Sequence, residues 1–306
     1  WGGAPEFKSV TIKFVTDAAA RVAEVESGNA HVTLEMPYEE FDRLKAGKLE
    51  GVAHPVSDIA MIFFNDIEVM TDPNVRKAAV MAVDKQAIVD RLLSGYGVPI
   101  DTLQTPEYAA YDASITTPYD PEGAKALLEE AGWTDSDGDG VREKDGVKLS
   151  LLYQTSTNAV RQDFQALIKQ WWSEIGVETE LRNISASVFF GGDPGSPDTF
   201  QKFYADVEMY ANLFDGTDPQ NYLASRTCGK APRPESQWQG ENINRFCDPE
   251  YDELVKELGR TADLNERAEI AIKLNNMITK EQNVIIPLVH RGRVSAKSNT
   301  LGGVIL

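Results

Sequence analysis

The chain has 306 residues, of which 42% are hydrophobic and 25% charged. These values are ordinary for a folded globular protein and exclude disorder along the whole chain. Acidic residues outnumber basic ones 48 to 30, which gives a net charge of -18. A nucleic-acid partner is therefore disfavoured, because binding to phosphate backbones depends on clustered Lys and Arg. No run of about 18 apolar residues occurs, so no membrane span is predicted.

The first third of the chain alternates short predicted strands with helices. The periodicity and the capping residues predict strands over 10–15, 31–34 and 59–64, and helices over 17–27, 38–46, 72–82 and 84–95. Asp72-Pro73 is typical of a helix start, because Asp caps the first turn and Pro suits the first helical position. Residues 97–119 have little periodicity, and a long ordered loop is expected there.

The same alternation continues to the carboxy terminus, which favours an α/β fold. Helices are predicted over 120–131, 158–175, 248–258 and 264–280, and strands over 147–153, 177–181, 206–212 and 284–290. Residues 190–199 are a loop by composition, because they are rich in Gly, Pro and Asp. The pattern contains no internal repeat and no low-complexity tract.

An acidic loop in the middle of the chain is similar to a calcium-binding loop. Asp135, Asp137, Asp139 and Glu143 fall at relative positions 1, 3, 5 and 9 of that motif. Position 12, where the motif carries a bidentate Glu, is Gly146. Two interpretations stay open: these four residues bind calcium, or they form a turn between a helix and a strand without any cofactor.

The two cysteines, Cys228 and Cys247, bracket a stretch rich in Pro, Gly, Ser and Asn. Covalent closure of such a loop would stabilise the fold by about 3 kcal/mol in the chain-entropy model. The spacing favours a disulfide, and hence an oxidising compartment, over two unrelated buried thiols.

Catalytic motifs are absent from the sequence: it has no G-x-S-x-G, no phosphate-binding glycine loop and no zinc signature. Glu208, Asp215 and Asp218 could supply the pair of carboxylates that a glycosidase requires. Chance proximity explains them better in a chain with 48 acids. Aromatic residues in or near irregular segments, among them Tyr210 and Phe214, could line a binding cleft or pack in the core.

The order of these segments resembles that of the extracytoplasmic solute-binding proteins of ABC importers for dipeptides, oligopeptides and nickel (family 5). Tyr119-Asp-Pro-Glu-Gly-Ala-Lys-Ala-Leu-Leu-Glu-Glu-Ala-Gly-Trp133 is similar to one of the most recognisable stretches of that family. Pro73, Val75 and Arg76 match its P-x-V-R helix, and the segment 214–219 matches its D-x-x-D-P stretch. The resemblance covers the whole chain, and family members have a further amino-terminal part.

The resemblance implies a class II periplasmic-binding-protein fold, with one nearly complete lobe and a remnant of the other. The expected domains are 1–65 as the remnant, 66–284 as the second lobe and 285–306 as the return to the first lobe. The protein would not be an enzyme. It would capture a small ligand, in the first place a peptide, in a cleft between lobes and deliver it to the permease subunits of an ABC transporter.

The resemblance also assigns roles to individual residues. Asp215 occupies the position of the acid that pairs with the α-ammonium group of peptide ligands, and Phe214, Tyr210 and Asn212 would contact the ligand beside it. Cys228 and Cys247 correspond to the disulfide of the dipeptide-binding subgroup. In this family the acidic loop is usually a turn, which favours the absence of calcium.

Several alternatives remain open. A secreted hydrolase acting on peptides or glycosides is the rival from another class, and a sensory binding protein would share the fold. Nickel chelates, sugars and opines fit the same scaffold as peptides, because function depends on the site and not on the fold. The expected location is periplasmic or extracellular, and any membrane anchor would belong to the further amino-terminal part.

Overall fold

The computed structural model describes residues 6–47, 49–65, 67–106, 108–213 and 218–302. The chain divides into two compact units. Unit 1 comprises Trp1–His54 and Gly292–Leu306, and unit 2 comprises Pro55–Arg291. The domain boundaries expected from the sequence, at 65/66 and 284/285, stay a prediction.

The helices of the described residues are α1 (Ala18–Glu26), α2 (Tyr38–Lys45), α3 (Pro73–Met81), α4 (Lys85–Leu92), α5 (Pro121–Glu130), α6 (Ala159–Glu174), α7 (Ala186–Phe189), α8 (Gln220–Ala224), α9 (Pro249–Leu258) and α10 (Leu264–Asn276). The strands are β1 (Val32–Thr33), β2 (Leu49–Phe64), β3 (Gly97–Pro99), β4 (Glu143–Lys144), β5 (Val147–Lys148), β6 (Ser150–Ser156), β7 (Glu178–Ile184), β8 (Val207–Leu213) and β9 (Ile285–Ser298).

Acidic and amide side chains begin most of the longer helices, as the sequence predicts. In each case the side chain accepts a hydrogen bond from a backbone N–H of the first turn, which satisfies one of the donors that a helix start leaves unpaired. The capping residues are Asp17, Asp72, Asp84, Asp120, Asn158, Asp248 and Asp263. Each such cap typically contributes about 1 kcal/mol, so these helix starts are specified locally.

The sheet of unit 2 combines parallel and antiparallel pairs. Its strands lie in the order β9, β2, β8, β6 and β7, and β3 pairs with β9. β2 runs antiparallel to β8, whereas β6 runs parallel to both β8 and β7. The parallel pair β6–β7 needs a crossover, and the 16-residue helix α6 supplies it.

Helices cover both faces of this sheet. On one face Trp172 of α6 lies against Phe64 and Tyr153, and its indole N–H donates to the carbonyl of Ala79 in α3 at 3.0 Å. On the other face a second apolar cluster joins β2 and β8 to α8, α9 and α10, and Tyr251 is fully buried in it. Because both faces are covered, the central strands carry buried residues on both sides.

Unit 1 contains α1, α2 and β1, together with the outer parts of β2 and β9. β1 pairs with β9 in antiparallel register, with Val32 opposite Lys297. The strand predicted over residues 10–15 is wrong: this segment has no regular secondary structure. Val10, Ile12 and Phe14 are 79%, 74% and 93% exposed. Alternation forms a strand only where a neighbouring strand supplies hydrogen bonds, and none of the described residues pairs with this segment.

Candidate functional site

Three strands of unit 2 end at the same edge of the sheet. β6, β8 and β7 are parallel, so their carboxyl ends at Ser156, Leu213 and Ile184 point in one direction. Ligands of open α/β sheets usually bind outside the carboxyl ends of the strands. We call this edge, with the residues that directly follow the three strands, the carboxyl edge. The predicted ligand-binding residues Phe214 and Asp215 directly follow β8 but lie outside the described residues.

Arg161 is a charged residue with side-chain contacts at this edge. Its backbone N–H donates to Oδ1 of the capping residue Asn158 at 3.1 Å. Its Nη1 donates to the hydroxyl of Ser156 at 2.9 Å, and the guanidinium lies 5.4 Å from the ring centroid of Phe190. Ser156 is buried at the end of β6 and Phe190 follows α7, so two different elements position the guanidinium.

An aromatic cluster extends from this arginine into the core. Phe190 is 43% exposed and meets the ring of Tyr210 edge-on, with the centroids 6.2 Å apart. Phe200 meets the same ring at 5.4 Å, and Phe63 stacks on it at 4.4 Å. The exposed part of Phe190 is therefore an apolar surface, and Tyr210 and Phe63 are buried behind it.

Two of the predicted ligand contacts can be located on β8. Tyr210 is only 4% exposed, and burial raises the pKa of its hydroxyl, which has no hydrogen-bond partner among the described residues. Its ring lies beneath Phe190 and Phe200, so Tyr210 supports the surface rather than forming it. Asn212 is half-buried opposite Ile59 of β2. Ligand contact by these two residues stays a prediction.

A second arginine lies on the inner side of the cluster. Arg226 is 1% exposed, and its guanidinium lies 4.8 Å from the ring centroid of Tyr222 and 5.5 Å from that of Phe63. Its Nη1 donates to the carbonyl of Glu241, whereas Nε and Nη2 have no hydrogen-bond partner among the described residues. The aromatic rings stabilise this buried cation through their negative faces.

Glu208 is a buried carboxyl in the middle of the sheet. It is fully buried beside Gln154, whose Nε2 donates to Oε1, and its Oε2 has no partner among the described residues. Burial raises the pKa of Glu208 well above its ordinary value, although Gln154 and Arg245 oppose this shift. Glu208 is therefore inaccessible to a substrate. Asp218 is exposed and pairs with Arg267 at 2.5 Å, so these two acids do not form a catalytic pair.

The predicted disulfide is confirmed: Cys228 and Cys247 are bonded, with their Cα atoms 4.5 Å apart. Buried hydrogen bonds hold the same loop from inside. Asn244 is 1% exposed, and its Nδ2 donates to the carbonyls of Phe64 at 2.6 Å and Val284 at 2.7 Å. The disulfide loop is thereby joined to the end of β2 and to the residue before β9.

The acidic loop brings three of its four predicted ligands together. Carboxylate oxygens of Asp135, Asp137 and Glu143 lie within 4.8 Å of one another. Asp139 instead pairs with Lys148, whose ammonium also lies 3.8 Å from Asp137. The pairing with Lys148 lowers the pKa of Asp139. A lysine therefore compensates part of the negative charge that a calcium ion would neutralise, and calcium binding stays a prediction.

Sequence reasoning missed Arg161, although a signal was available. It lies in the first turn of the helix predicted over 158–175, which follows the strand predicted over 147–153. A cation at that position is unfavourable in the field of the helix dipole, so it calls for another explanation. The pairing with Phe190 could not be inferred, because the two residues belong to different elements that meet only in the folded chain.

The family of the chain follows from its sequence. Residues 1–231 match the family described as bacterial extracellular solute-binding proteins, family 5, middle. The chain therefore belongs to this family, as the order of its motifs indicates. Membership confirms the resemblance and favours a solute-binding protein over a hydrolase.

Individual relatives agree with this assignment. A dipeptide-binding protein of Pseudomonas aeruginosa is 28% identical over 296 residues, which are 94% of this chain and 51% of the relative. The structure of the oligopeptide-binding protein AppA from Bacillus subtilis, in complex with a nonapeptide, matches with a TM-score of 0.80 at 23% identity, over 95% of this chain and 56% of that one. NikA from Brucella suis, in complex with Fe(III)-EDTA, matches with a TM-score of 0.83 at 20% identity, over 100% and 60%.

These likenesses confirm the fold class, an α/β fold of the class II periplasmic-binding-protein type. The chain spans about half the length of the relatives it matches, which agrees with one nearly complete lobe and part of another. Members of the family are extracellular solute-binding proteins. Among the described residues, none of the helices is both long and apolar enough to cross a membrane.

Proposed function

We propose that the full-length protein is the solute-binding component of an ABC importer, which captures a short peptide and delivers it to the permease subunits in the membrane. The observation that carries this proposal is the carboxyl edge of unit 2. There the segment with Asp215 follows β8, and a fixed guanidinium and an exposed aromatic ring follow β6 and β7. These groups suit a ligand with an ammonium group, a carboxylate and apolar side chains.

Asp215 would pair with the α-ammonium group of the peptide, with Phe214, Tyr210 and Asn212 beside it. A carboxylate that leaves water on ligand binding needs a partner charge or hydrogen bonds, and an ammonium group supplies both. The names of several relatives support a peptide ligand, since they are dipeptide-, tripeptide- or oligopeptide-binding proteins.

The protein would bind its ligand without altering it. Glu208 is fully buried and Asp218 is engaged by Arg267, so neither is available to a substrate as a nucleophile. A periplasmic or extracellular location is supported by the disulfide between Cys228 and Cys247, because such bonds persist in oxidising compartments.

Isothermal titration calorimetry of the full-length protein with a panel of dipeptides and tripeptides tests this proposal. We expect binding of at least one peptide, and we expect Asp215→Asn to weaken it by about 2–5 kcal/mol, the usual effect of removing one partner of a desolvated charge pair. Asp193→Asn, at an exposed acid of the loop that follows α7, is the matched control and should bind normally. Mass spectrometry should recover the peptide intact; hydrolysis would favour the rival enzyme.

A further inference from the structure

Arg226 is a buried cation whose guanidinium donates to no carboxylate of the described residues. Its Nη1 donates to the backbone carbonyl of Glu241, and its Nε and Nη2 have no hydrogen-bond partner in that part of the chain. The side chain of Glu241 is exposed, so solvent screens its charge. Burial raises the pKa of Glu208, and the cation that opposes this rise is Arg245. A guanidinium that is taken out of water without a partner charge is costly, so the charge of Arg226 calls for an explanation.

A second buried arginine shows what is unusual about Arg226. Arg142 is 9% exposed, and all three of its nitrogens donate hydrogen bonds. The acceptors are the carbonyls of Ile175 and Trp133 and the carboxylate of Glu129. In Arg226 the edge formed by Nε and Nη2 is unused by the described residues. The N–H groups of this edge point in parallel, so together they can donate to one acceptor.

The hydroxyl of Tyr210 is a third donor in the same region of the interior. Tyr210 is 4% exposed, and its hydroxyl has no hydrogen-bond partner among the described residues. Its ring stacks on that of Phe63 at 4.4 Å, and the guanidinium of Arg226 lies 5.5 Å from the centroid of the same Phe63 ring. Burial raises the pKa of Tyr210, and the positive charge of Arg226 opposes this rise. The ring contacts and this electrostatic effect both place the hydroxyl near the guanidinium.

The residues around these donors are apolar or aromatic and belong to packed elements. Tyr222 of α8 lies under the guanidinium, at 4.8 Å from its ring centroid, and its hydroxyl donates to Sδ of Met61 at 3.4 Å. Met61 is opposite Tyr210 in the register of β2 with β8. Aromatic faces attract a cation, but they accept no strong hydrogen bond from Nε and Nη2. A site with three donors and a positive charge is therefore enclosed by apolar walls.

We propose that Arg226 and Tyr210 bind a small monovalent anion, chloride, in the interior of unit 2. The edge of Nε and Nη2 would donate to the anion from one side, and the hydroxyl of Tyr210 would donate from β8. An anion accepts from all three donors and also neutralises the guanidinium, whereas a water molecule would leave the charge uncompensated. Chloride carries a single charge, so its burial costs less than that of a doubly charged phosphate or sulfate. This inference goes beyond peptide binding and does not depend on it.

Thermal unfolding of the full-length protein in sodium chloride tests this inference. Sodium gluconate replaces chloride at constant ionic strength, so that only the anion changes. Between about 1 mM and about 300 mM chloride, the melting temperature of the wild type should rise by about 2–4 °C, because a ligand that binds only the folded state stabilises it. Arg226→Met introduces a neutral side chain, and the melting temperature of this variant should not depend on chloride. Arg182→Gln removes a partly exposed arginine that pairs with Asp198, and it should keep the wild-type rise.

A second variant and a direct observation make the outcome specific. Tyr210→Phe removes one donor and keeps the ring, so the midpoint of the chloride titration should move about 10-fold higher, which corresponds to about 1.4 kcal/mol. This variant also decides the question if Arg226→Met does not fold. Crystals of the wild type grown in sodium bromide should show an anomalous-scattering peak within hydrogen-bond distance of Nε and Nη2 of Arg226, because bromide has the charge of chloride and a similar size.

Several results would overturn the anion site. Equal melting temperatures of the wild type in chloride and in gluconate would refute it outright. A rise that persists in Arg226→Met, or an unchanged midpoint in Tyr210→Phe, would assign the chloride effect to another part of the protein. Electron density without anomalous signal at the unused edge of Arg226 would identify a water molecule instead of an anion. None of these results bears on the peptide titrations, so the anion site and the proposed function fail separately.

Discussion

Asn244 joins three parts of unit 2, and its replacement by Asp should be strongly destabilising. The side chain is 1% exposed, and its Nδ2 donates to the carbonyls of Phe64 and Val284. Asn244→Asp keeps the shape but replaces this donor by an oxygen that faces two carbonyl oxygens. Each buried hydrogen bond that is left unmade costs about 1–3 kcal/mol, so we expect a loss of about 2–6 kcal/mol at pH 7.

The effect should depend on pH with a definite sign. Burial and the two carbonyls favour the neutral form, so the pKa of the new carboxyl in the folded state should exceed its unfolded value. Stability is then fully present below the unfolded pKa and is lost as the pH rises through that value toward the folded one. The deficit of Asn244→Asp should therefore be smaller at pH 4 than at pH 7.

Urea unfolding followed by circular dichroism at both pH values measures this effect. The matched control is Asn265→Asp, at an exposed position in the first turn of α10, where an acid is compatible with the helix dipole. We expect that control to stay within about 0.5 kcal/mol of the wild type. Equal stability of the two variants at pH 7 would refute the role assigned to the Asn244 amide.

Two further predictions concern the buried and exposed acids. Because the folded-state pKa of Glu208 is raised, the wild type should lose stability as the pH rises above the unfolded value near 4.5. The melting temperature of Glu208→Gln should therefore equal that of the wild type at pH 4 and exceed it at pH 8. Equal melting temperatures at pH 8 would contradict the raised pKa of the buried carboxyl. Because Lys148 compensates the negative charge of the acidic loop, millimolar calcium should not shift the melting temperature of the wild type. In Lys148→Met, the same calcium concentration should raise the melting temperature. A rise that is already present in the wild type would instead support the calcium site.

The local features of the fold could be predicted from the sequence because they depend on neighbours in the chain. The starts of α3 and α5 are specified by Asp72-Pro73 and Asp120-Pro121, in which the cap and the first helical residue are adjacent. The strand expected over 206–212 is observed as β8 (Val207–Leu213). With two cysteines in the chain only one intramolecular pairing is possible, and the structure shows that Cys228 and Cys247 form it.

Which strands pair with each other, and which side chains of different elements come into contact, could be seen only in the tertiary structure. Residues 10–15 alternate as well as β8 does, yet they form no strand, because no described strand pairs with them. Asp139 has the spacing of a calcium ligand, but β5 brings Lys148 next to it. Arg161 and Phe190 are distant in sequence and meet because α6 and α7 follow the neighbouring parallel strands β6 and β7.

Capping and alternation are short-range properties that a sequence records directly. Contacts between elements depend on strand order and register, which the packing of the whole chain determines.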